Sequence, residues 1–229
     1  SEREKGMMIA QLSHDIKTPI TSIQATVEGI LDGVIEEEEQ IHYLTTISRQ
    51  TERLNKLVEE LDILTLNAQP QIESDGEAEI VFLDQLLIEV MSEFQLLIER
   101  EERDIYIQVS PESAKIKSHY DKLSRILLNL LNNAFKYSDP GTKIEIVAQL
   151  TEQILTISVK DEGRGISPEN LDKIFKRLYR VETSRNMKTG GHGLGLAIAR
   201  ELAHQLGGEI TVESQYGLGS TFTFTLNLT

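Results

Sequence analysis

An imidazole with a carboxylate beside it stands near the start of the chain, in the segment Ser13-His14-Asp15-Ile16-Lys17-Thr18-Pro19. A lone histidine in a helical pattern is most often structural. With Ile9 at heptad position a, however, His14 takes position f, on the face most remote from the helix seam. The heptad pattern itself is that of a helix packing on other helices, with isoleucine at Ile9, Ile16, Ile23 and Ile30.

The neighbours of His14 favour a chemical role over a structural one. Asp15 places a base next to the imidazole, and Thr18 lies one helical turn further along the same face. Pro19 has no N–H to donate to the Asp15 carbonyl, so it loosens or bends the helix there. We therefore predict that His14, Asp15 and Thr18 form a catalytic group on an exposed, locally deformable helix.

Three asparagines lie among strong helix formers at residues 126–137, in another predicted helix that ends at Tyr137. Asn129 and Asn133 are four residues apart and share a face, so they present two amide oxygens, which are hard ligands suited to magnesium. Lys136 adds a positive charge suited to phosphate one turn later. We interpret Asn132 as a residue of the solvent face.

Two glycine-rich segments suit a nucleotide. Asp161-Glu162-Gly163-Arg164-Gly165-Ile166 follows a predicted strand, where its carboxylate can accept from an exocyclic amine and its glycines let the backbone approach a flat base. By itself this motif is weak evidence for a nucleotide site, because many turns have the same pattern. Gly190-Gly191-His192-Gly193-Leu194-Gly195-Leu196 opens the last helix and offers free amides to a phosphate. We assign no role to His192.

The segment from Phe175 to His192 is basic in an acidic protein, which predicts a mobile lid over a polyanionic ligand. The alternative is an ordinary solvated loop. Its cations, against the single acid Glu182, are Lys176, Arg177, Arg180, Arg185 and Lys188.

Composition limits the partners of this chain. The 229 residues, 39% of them hydrophobic, are enough for one large or two modest folded domains. A net charge of -14 argues against nucleic acid and anionic membrane surfaces as direct ligands. Cysteine does not occur, so disulfides and thiolate metal sites are excluded.

The sequence has no apolar run near the ~18 residues of a membrane span and no secretory signal segment. It opens inside a helical pattern at residues 1–5. We therefore expect a cytoplasmic fragment of a longer protein.

The first part of the chain, residues 1–68, is predicted to be a helical hairpin. One helix runs from about Glu2 to Leu31, and a turn at Gly33 precedes the acidic run 36–39, a solvated start to the second helix. Packing the two helices against each other leaves an apolar stripe of the hairpin exposed, which predicts a homodimeric four-helix bundle. The residues expected to need the partner surface are Ile16, Ile23, Leu54 and Leu61.

Residues 69–78 form a predicted linker, and residues 79–229 mix helices with strands as an α/β sandwich. Asp84 and Asp121 are predicted caps of helices reaching about Glu101 and Tyr137, and a last helix is predicted from about Gly193 to Leu206. Strands are predicted at 79–83, 104–109, 143–150, 154–159, 209–214 and 220–228.

Taken together, these segments resemble the sensor histidine kinases. The segment around His14 resembles their phospho-acceptor box. The later segments resemble, in order, the N, G1, F and G2 boxes of their catalytic domain, which shares its ATP-binding fold with DNA gyrase and the mismatch-repair ATPases. The resemblance implies a dimerisation and phosphotransfer domain at 1–68 and an ATP-binding catalytic domain at 79–229.

The resemblance also implies roles for individual residues. Asn133 binds magnesium with support from Asn129, Lys136 contacts phosphate, Tyr137 lies against adenine and Asp161 accepts from its amino group. The F box more often has phenylalanine at the position of Leu178, which puts in question the packing of the lid more than ATP binding. The other implied nucleotide-binding residues are Gly163, Gly165, Ile166, Phe175, Tyr179, Arg180, Gly191, Gly193, Leu194 and Gly195.

The implied function is that of a protein-histidine kinase which uses Mg-ATP to phosphorylate His14 and passes the phosphoryl group to an aspartate on the receiver domain of a response regulator. Thr18 and Asp15 would position water for phosphatase activity on that regulator. The resemblance further implies a full-length protein anchored in the cell membrane through an N-terminal sensor region. Two alternatives are a degenerate dimeric scaffold and a gyrase-like ATPase, and the second leaves the segment around His14 unexplained.

Overall fold

The computed structural model describes residues 2–65, 77–176, 179 and 193–228. The chain divides into two compact units, residues 1–70 and 71–229. Within the described ranges, no helix is both long enough and apolar enough to cross a membrane.

The first unit is the predicted helical hairpin. Helix α1 spans Glu2–Leu31 and α2 spans Glu37–Thr65. Between them Gly33 adopts φ of 68°, and the backbone N–H groups of Val34 and Ile35 both donate to the Gly29 carbonyl at 3.0 Å. The acidic residues of the first turn of α2 lie at the positive end of the helix dipole.

The apolar residues left exposed on the hairpin differ from those expected. Ile16, Ile23, Leu54 and Leu61 are half-buried within the single chain. An outer stripe is exposed instead, because on α1 it lies four residues along from the seam, at heptad position e. This outer stripe consists of Ile20 and Val27 of α1, with Leu44 and Val58 of α2, and the exposed Val34 lies in the turn after α1.

The strands of the second unit are β1 Glu79–Phe82, β2 Asp104–Ser110, β3 Lys115–Ser118, β4 Lys143–Leu150, β5 Ile154–Asp161, β6 Gly208–Gln215 and β7 Gly219–Asn227. Five of them form a sheet in the order β2-β4-β5-β7-β6. Strands β2 and β4 are parallel, and the other neighbours are antiparallel. A separate two-stranded sheet pairs β1 with β3.

Helices cover the sheet, so the predicted α/β sandwich is confirmed. Helices α5 (Tyr120–Tyr137) and α7 (Gly195–Gln205) pack on each other, and the sheet contacts them through β5 and β6 respectively. Along β5 burial alternates: Leu155, Ile157 and Val159 are buried with Asp161, whereas Lys160 is exposed. The helices are α3 Leu83–Ser92, α4 Gln95–Glu101, α5 Tyr120–Tyr137, α6 Pro168–Leu171 and α7 Gly195–Gln205.

The helix predicted from Asp84 to Glu101 is two helices. At the break, the N–H of Phe94 donates to the Met91 carbonyl at 3.0 Å, a tight turn that leaves the Phe94 ring stacked on Phe135 with ring centroids 4.7 Å apart. The apolar spacing continues through this turn, so the sequence pattern does not reveal it. Strand β3 and the short α6 were not predicted.

The predicted caps are wrong. Helix α3 begins after Phe82 and α5 after His119, and neither residue makes a side-chain cap hydrogen bond. Asp84 and Asp121 lie in the first turn instead, where a carboxylate is still favourable to the helix dipole.

Candidate active site

His14 is exposed on α1, as the heptad pattern predicts, with 72% of its side chain accessible. Its Nδ1 lies 3.3 Å from Oδ1 of Asp15, whose side chain is 14% accessible. The Thr18 hydroxyl donates to the His14 carbonyl at 3.0 Å, which leaves the hydroxyl oxygen able to accept. Pro19 is buried. The three predicted catalytic side chains therefore lie within about one turn of α1, with His14 and Thr18 exposed and Asp15 half-buried beside them.

The second unit has a pocket where the end of α5, the loop after β5 and the β6–β7 turn meet. Of the predicted nucleotide-binding residues, it brings together Asn133, Tyr137, Asp161, Gly165, Ile166 and Tyr179. The other residues lining the pocket are Arg164, Ser167, Ile174, Leu196, Tyr216 and Ser220.

Asp161 places a carboxylate in this pocket while being only 3% exposed. Its Oδ1 accepts from the Gly163 N–H at 2.8 Å. Burial raises the pKa of this carboxyl, and the backbone N–H groups of Gly163 and Ser220 together with the charge of Arg103 oppose that rise. A buried carboxylate with remaining acceptor capacity fits an amine donor such as the exocyclic amine of a base.

The loop after β5 needs glycine at two positions, because neighbouring backbone carbonyl groups leave no room there for a side chain. A Cβ on Gly163 would lie 2.2 Å from the Tyr137 carbonyl oxygen, and one on Gly165, at φ +66°, would lie 2.0 Å from the Gln215 carbonyl oxygen. The Arg164 N–H also donates to the Tyr137 carbonyl at 3.2 Å. The loop is therefore packed directly between the end of α5 and the β6–β7 turn.

Tyr137 has two cations against its ring. The Arg164 guanidinium carbon lies 4.6 Å from the ring centroid, and the Lys136 Nζ lies 5.2 Å from it. Arg164 lines the pocket and Lys136 does not. The cation predicted from the sequence to contact the ligand is Lys136, whereas Arg164 has no predicted role although it lies inside the glycine motif at residues 161–166.

The two asparagines predicted to act together have different surroundings. Asn133 lines the pocket. Asn129 donates through Nδ2 to the Arg125 carbonyl at 2.9 Å, and its Oδ1 would be 2.9 Å from a Cβ built on Gly195, the first residue of α7. Asn129 thus contacts the start of α7 and does not line the pocket.

The described residues include no group of three or more histidine, cysteine, aspartate or glutamate side chains that could hold a metal ion. Asn133 nevertheless offers a hard amide oxygen in the pocket. Mg²⁺ usually keeps several waters and takes its remaining ligands from one or two protein oxygens and the substrate's phosphates. The donor set therefore fits Mg²⁺ arriving with a nucleotide, and Asn133 is the pocket residue that could hold it.

A buried arginine holds the end of the helix that carries Asn133 and Tyr137. Arg103 is 7% exposed, and its Nη2 donates to the carbonyls of Phe135 and Ser138 at 3.1 and 2.9 Å. Its Nη1 donates to the hydroxyls of Ser138 and Thr142, each at 2.8 Å. Glu101 pairs with Nη2 at 2.8 Å. The guanidinium thus satisfies the last carbonyls of α5.

The remaining predicted residues are not all brought to the pocket. Phe175 packs edge-on against Phe222, with ring centroids 6.3 Å apart. Leu194 is buried next to the start of α7, and the Tyr179 hydroxyl donates to Asn170 Oδ1 at 2.6 Å. Predictions on Arg177, Leu178, Arg180, Arg185, Lys188, Gly191 and His192 fall outside the described residues.

Two family models match this chain. The His Kinase A (phospho-acceptor) domain matches residues 4–69. The Histidine kinase-, DNA gyrase B-, and HSP90-like ATPase matches residues 118–229. The first range contains His14, and the second contains every residue that lines the pocket.

Known proteins are similar over nearly the whole chain. The histidine protein kinase SaeS of Staphylococcus epidermidis is 38% identical over 98% of this chain and 64% of its own length. SaeS of Staphylococcus aureus is 39% identical over 99% of this chain and 64% of its own. The chain thus spans 64% of the length of these relatives.

Among solved structures, the histidine kinase AdeS of Acinetobacter baumannii superimposes with a TM-score of 0.71 at 27% identity, over 93% of this chain and 97% of that one. The catalytic domain of the histidine kinase ThkA gives a TM-score of 0.59 at 25% identity, over 66% of this chain and 98% of that one.

Proposed function

Because this chain belongs to the sensor histidine kinases of two-component systems, of which it has the catalytic core, we propose that it transfers the γ-phosphoryl group of ATP to His14. The observation that carries the proposal is the exposed imidazole of His14 with the Asp15 carboxylate 3.3 Å from its Nδ1. The pocket around the buried Asp161 supplies a site for the nucleotide in the same chain.

In this proposal the adenine base binds at Asp161, which accepts from the exocyclic amine. Gly163, Gly165 and Ile166 lie along the base, and Tyr137 lies against it. The phosphates lie toward Gly193 and Gly195 at the start of α7, where free backbone N–H groups favour an anion, and the family resemblance adds Gly191 to this turn. The phosphate turn and the lid would be completed by Lys136, Leu194, Phe175, Tyr179 and Arg180. Asn129 would support the turn through its contact with Gly195.

Asn133 would hold Mg²⁺, which neutralises charge on the phosphates when it is bound. At His14, the Asp15 carboxylate would accept a hydrogen bond from Nδ1–H, so that the lone pair on Nε2 is free to attack. The N–P bond forms as the bond from phosphorus to the ADP oxygen breaks, in line. The Nδ1 proton passes to Asp15, and ADP leaves.

The phosphoryl group would then pass to an aspartate on the receiver domain of a response regulator. We propose that the same site, with water positioned by Thr18 and Asp15, hydrolyses that acyl phosphate. We also propose that the protein works as a homodimer through the hairpin and that the full-length protein is anchored in the cell membrane. A gyrase-like ATPase would not need a phospho-acceptor domain, and the match to residues 4–69 counts against it.

The decisive experiment incubates the chain with ATP labelled in the γ-phosphoryl group and measures protein-bound label before and after acid treatment. Label should be lost in acid, as expected of phosphohistidine, and His14→Gln should carry none while still binding ADP. His42→Gln, which removes an exposed histidine of α2, is the matched control and should be labelled normally. Label on His14→Gln, or acid-stable label, would contradict the proposal. A chain that binds ADP without any labelling would favour the degenerate scaffold.

A further inference from the structure

Tyr216 is an exposed aromatic residue at the mouth of the nucleotide pocket. It lies in the turn between β6 and β7, is 71% exposed, and lines the pocket. A tyrosine ring left largely in water next to a ligand site gains from covering the ligand, because the contact buries its apolar face and leaves its hydroxyl wet.

The backbone of this turn is fixed on both sides of Tyr216. The Gly217 N–H donates to the Arg164 carbonyl at 2.7 Å. The Ser214 hydroxyl accepts from the Ile166 N–H and donates to the Gly219 carbonyl, both at 2.8 Å. The turn is thus hydrogen-bonded to the loop that carries the glycines of the pocket, so Tyr216 is held at a defined place beside that loop.

The position of Tyr216 relative to the base site follows from Gly165. A Cβ at Gly165 would lie 3.0 Å from the Cα of Tyr216, so the two backbones are in direct contact. In the proposed function, Gly165 lies along the base. The Tyr216 side chain therefore starts from the backbone next to the base, on the solvent side of the pocket.

We propose that Tyr216 is a further nucleotide-contacting residue, whose ring stacks on the solvent-facing part of the base held at Asp161. This inference rests on the proposed ATP site. Stacking on an aromatic ring tolerates any flat base, so Tyr216 adds affinity, while discrimination between bases stays with Asp161.

The same turn provides a control. Leu218 is 67% exposed, close to the value for Tyr216, but it does not line the pocket. Truncating either exposed side chain to alanine should therefore affect the turn itself to the same extent. An effect on the nucleotide is expected from Tyr216 alone.

The test is calorimetric titration of the full chain with ADP, comparing wild type with Tyr216→Ala, Tyr216→Phe and Leu218→Ala. Loss of one aromatic–base stack predicts an affinity about tenfold weaker for Tyr216→Ala. Tyr216→Phe keeps the ring and should bind within about twofold of wild type, as should Leu218→Ala. With labelled ATP, Tyr216→Ala should raise KM and leave the labelling rate at saturation unchanged, because the contact is made equally before and during transfer.

The outcomes separate the two proposals. Wild type that does not bind ADP overturns the proposed ATP site and this inference with it. Wild type that binds ADP, with equal affinity in Tyr216→Ala, overturns this inference alone. An equal loss in Leu218→Ala and Tyr216→Ala also overturns it, since the turn and not the ring would then matter. Thermal unfolding of each variant without ligand shows whether the fold is kept.

Discussion

Asp161 shows how one residue serves both the core and the pocket. It is the last of the buried, inward-facing residues of β5, and burial raises the pKa of its carboxyl above the ordinary 3.8. The folded protein therefore holds the proton to a higher pH than the unfolded chain does. The stability from this group is fully present below pH 3.8 and is lost as the pH rises through the raised pKa.

The first prediction concerns Asp161→Asn. Relative to this variant, the free energy of unfolding of wild type should fall as the pH rises from 3.8 through the raised pKa, measured by urea unfolding over a pH series. ADP affinity should drop about tenfold at neutral pH, because an asparagine amide can direct a donor at the amine of the base. Glu162→Gln, an exposed neighbour, is the control. A wild type and variant that differ equally at every pH would contradict the assignment.

The second prediction concerns Thr18. Its hydroxyl proton is engaged by the His14 carbonyl, so its oxygen can accept a hydrogen bond from water. Thr18→Ala should keep the labelling of His14, which needs the imidazole, its base and ATP. It should slow the decay of a phosphorylated regulator by about tenfold or more. Decay is measured with ADP present, and Thr26→Ala, another α1 threonine bonded to the carbonyl four residues earlier, is the control. Equal decay in Thr18→Ala and wild type would leave Thr18 as an ordinary helix residue.

Single residues were predictable where chemistry restricts the residue type. A carboxylate before two glycines predicts Asp161, and an amide in a helix predicts Asn133, and both line the pocket. The sequence could not place Tyr216, because it reaches the pocket from a turn distant in the chain. Lys136 and Arg164 both lie over Tyr137, and only the packing of the loop decides which of them lines the pocket.

Among the elements, α5 depends on a residue outside it. Arg103, just before β2, donates to the last carbonyls of α5 and to the hydroxyls that follow. Its guanidinium carbon also lies 5.6 Å from the centroid of the Phe135 ring. Replacing it would leave several buried acceptors without their donor and Glu101 with only the exposed Arg100, and the helix end that carries Tyr137 would lose its support.

The third prediction is therefore that Arg103→Met lowers the free energy of unfolding of the second unit by about 3 kcal/mol, as expected when one partner of a buried ion pair is removed. Urea unfolding followed by circular dichroism measures it. Arg100→Met removes a side chain that is 73% accessible and pairs with the same Glu101. That control should change stability by less than about 0.5 kcal/mol. Similar losses in both variants would show that the contacts of Arg103 do not stabilise the fold.

Elements were predictable where a period repeats long enough to be read. The first helix and the strand β4 have the predicted bounds, since each keeps its period over its full length. The break before Phe94 keeps the helical period, so it leaves no signal. The caps were misassigned because Asp84 and Asp121 favour a first turn as well as a cap.

At the scale of the whole molecule, the outer stripe of the hairpin is apolar surface without a described neighbour in the single chain. Ile20 and Val27 lie one heptad apart on α1 and are 46% and 38% exposed, and Val34, in the turn that follows, is 77% exposed. Such a stripe along a long helix is the seam of a further helix contact. A second copy of the hairpin supplies matching surface through two-fold symmetry.

The fourth prediction is that the chain is a dimer at micromolar concentration by analytical ultracentrifugation, and that Val27→Glu raises the dissociation constant at least tenfold by placing a charge in the seam. Leu96→Glu is the control, since Leu96 is 81% exposed on the second unit. A monomeric wild type, or equal weakening by Leu96→Glu, would contradict a dimer held by this stripe.

The alternation along β5 has a consequence for how this protein can change in length. Successive side chains of a strand point to opposite faces, so inserting one residue before position 160 would turn the Asp161 carboxylate toward the outer face and bring the Lys160 ammonium into the pocket. An insertion of two residues would restore the phase. Single-residue length variation is therefore compatible with nucleotide binding in the turn at residues 151–153, between β4 and β5, and incompatible within β5 itself.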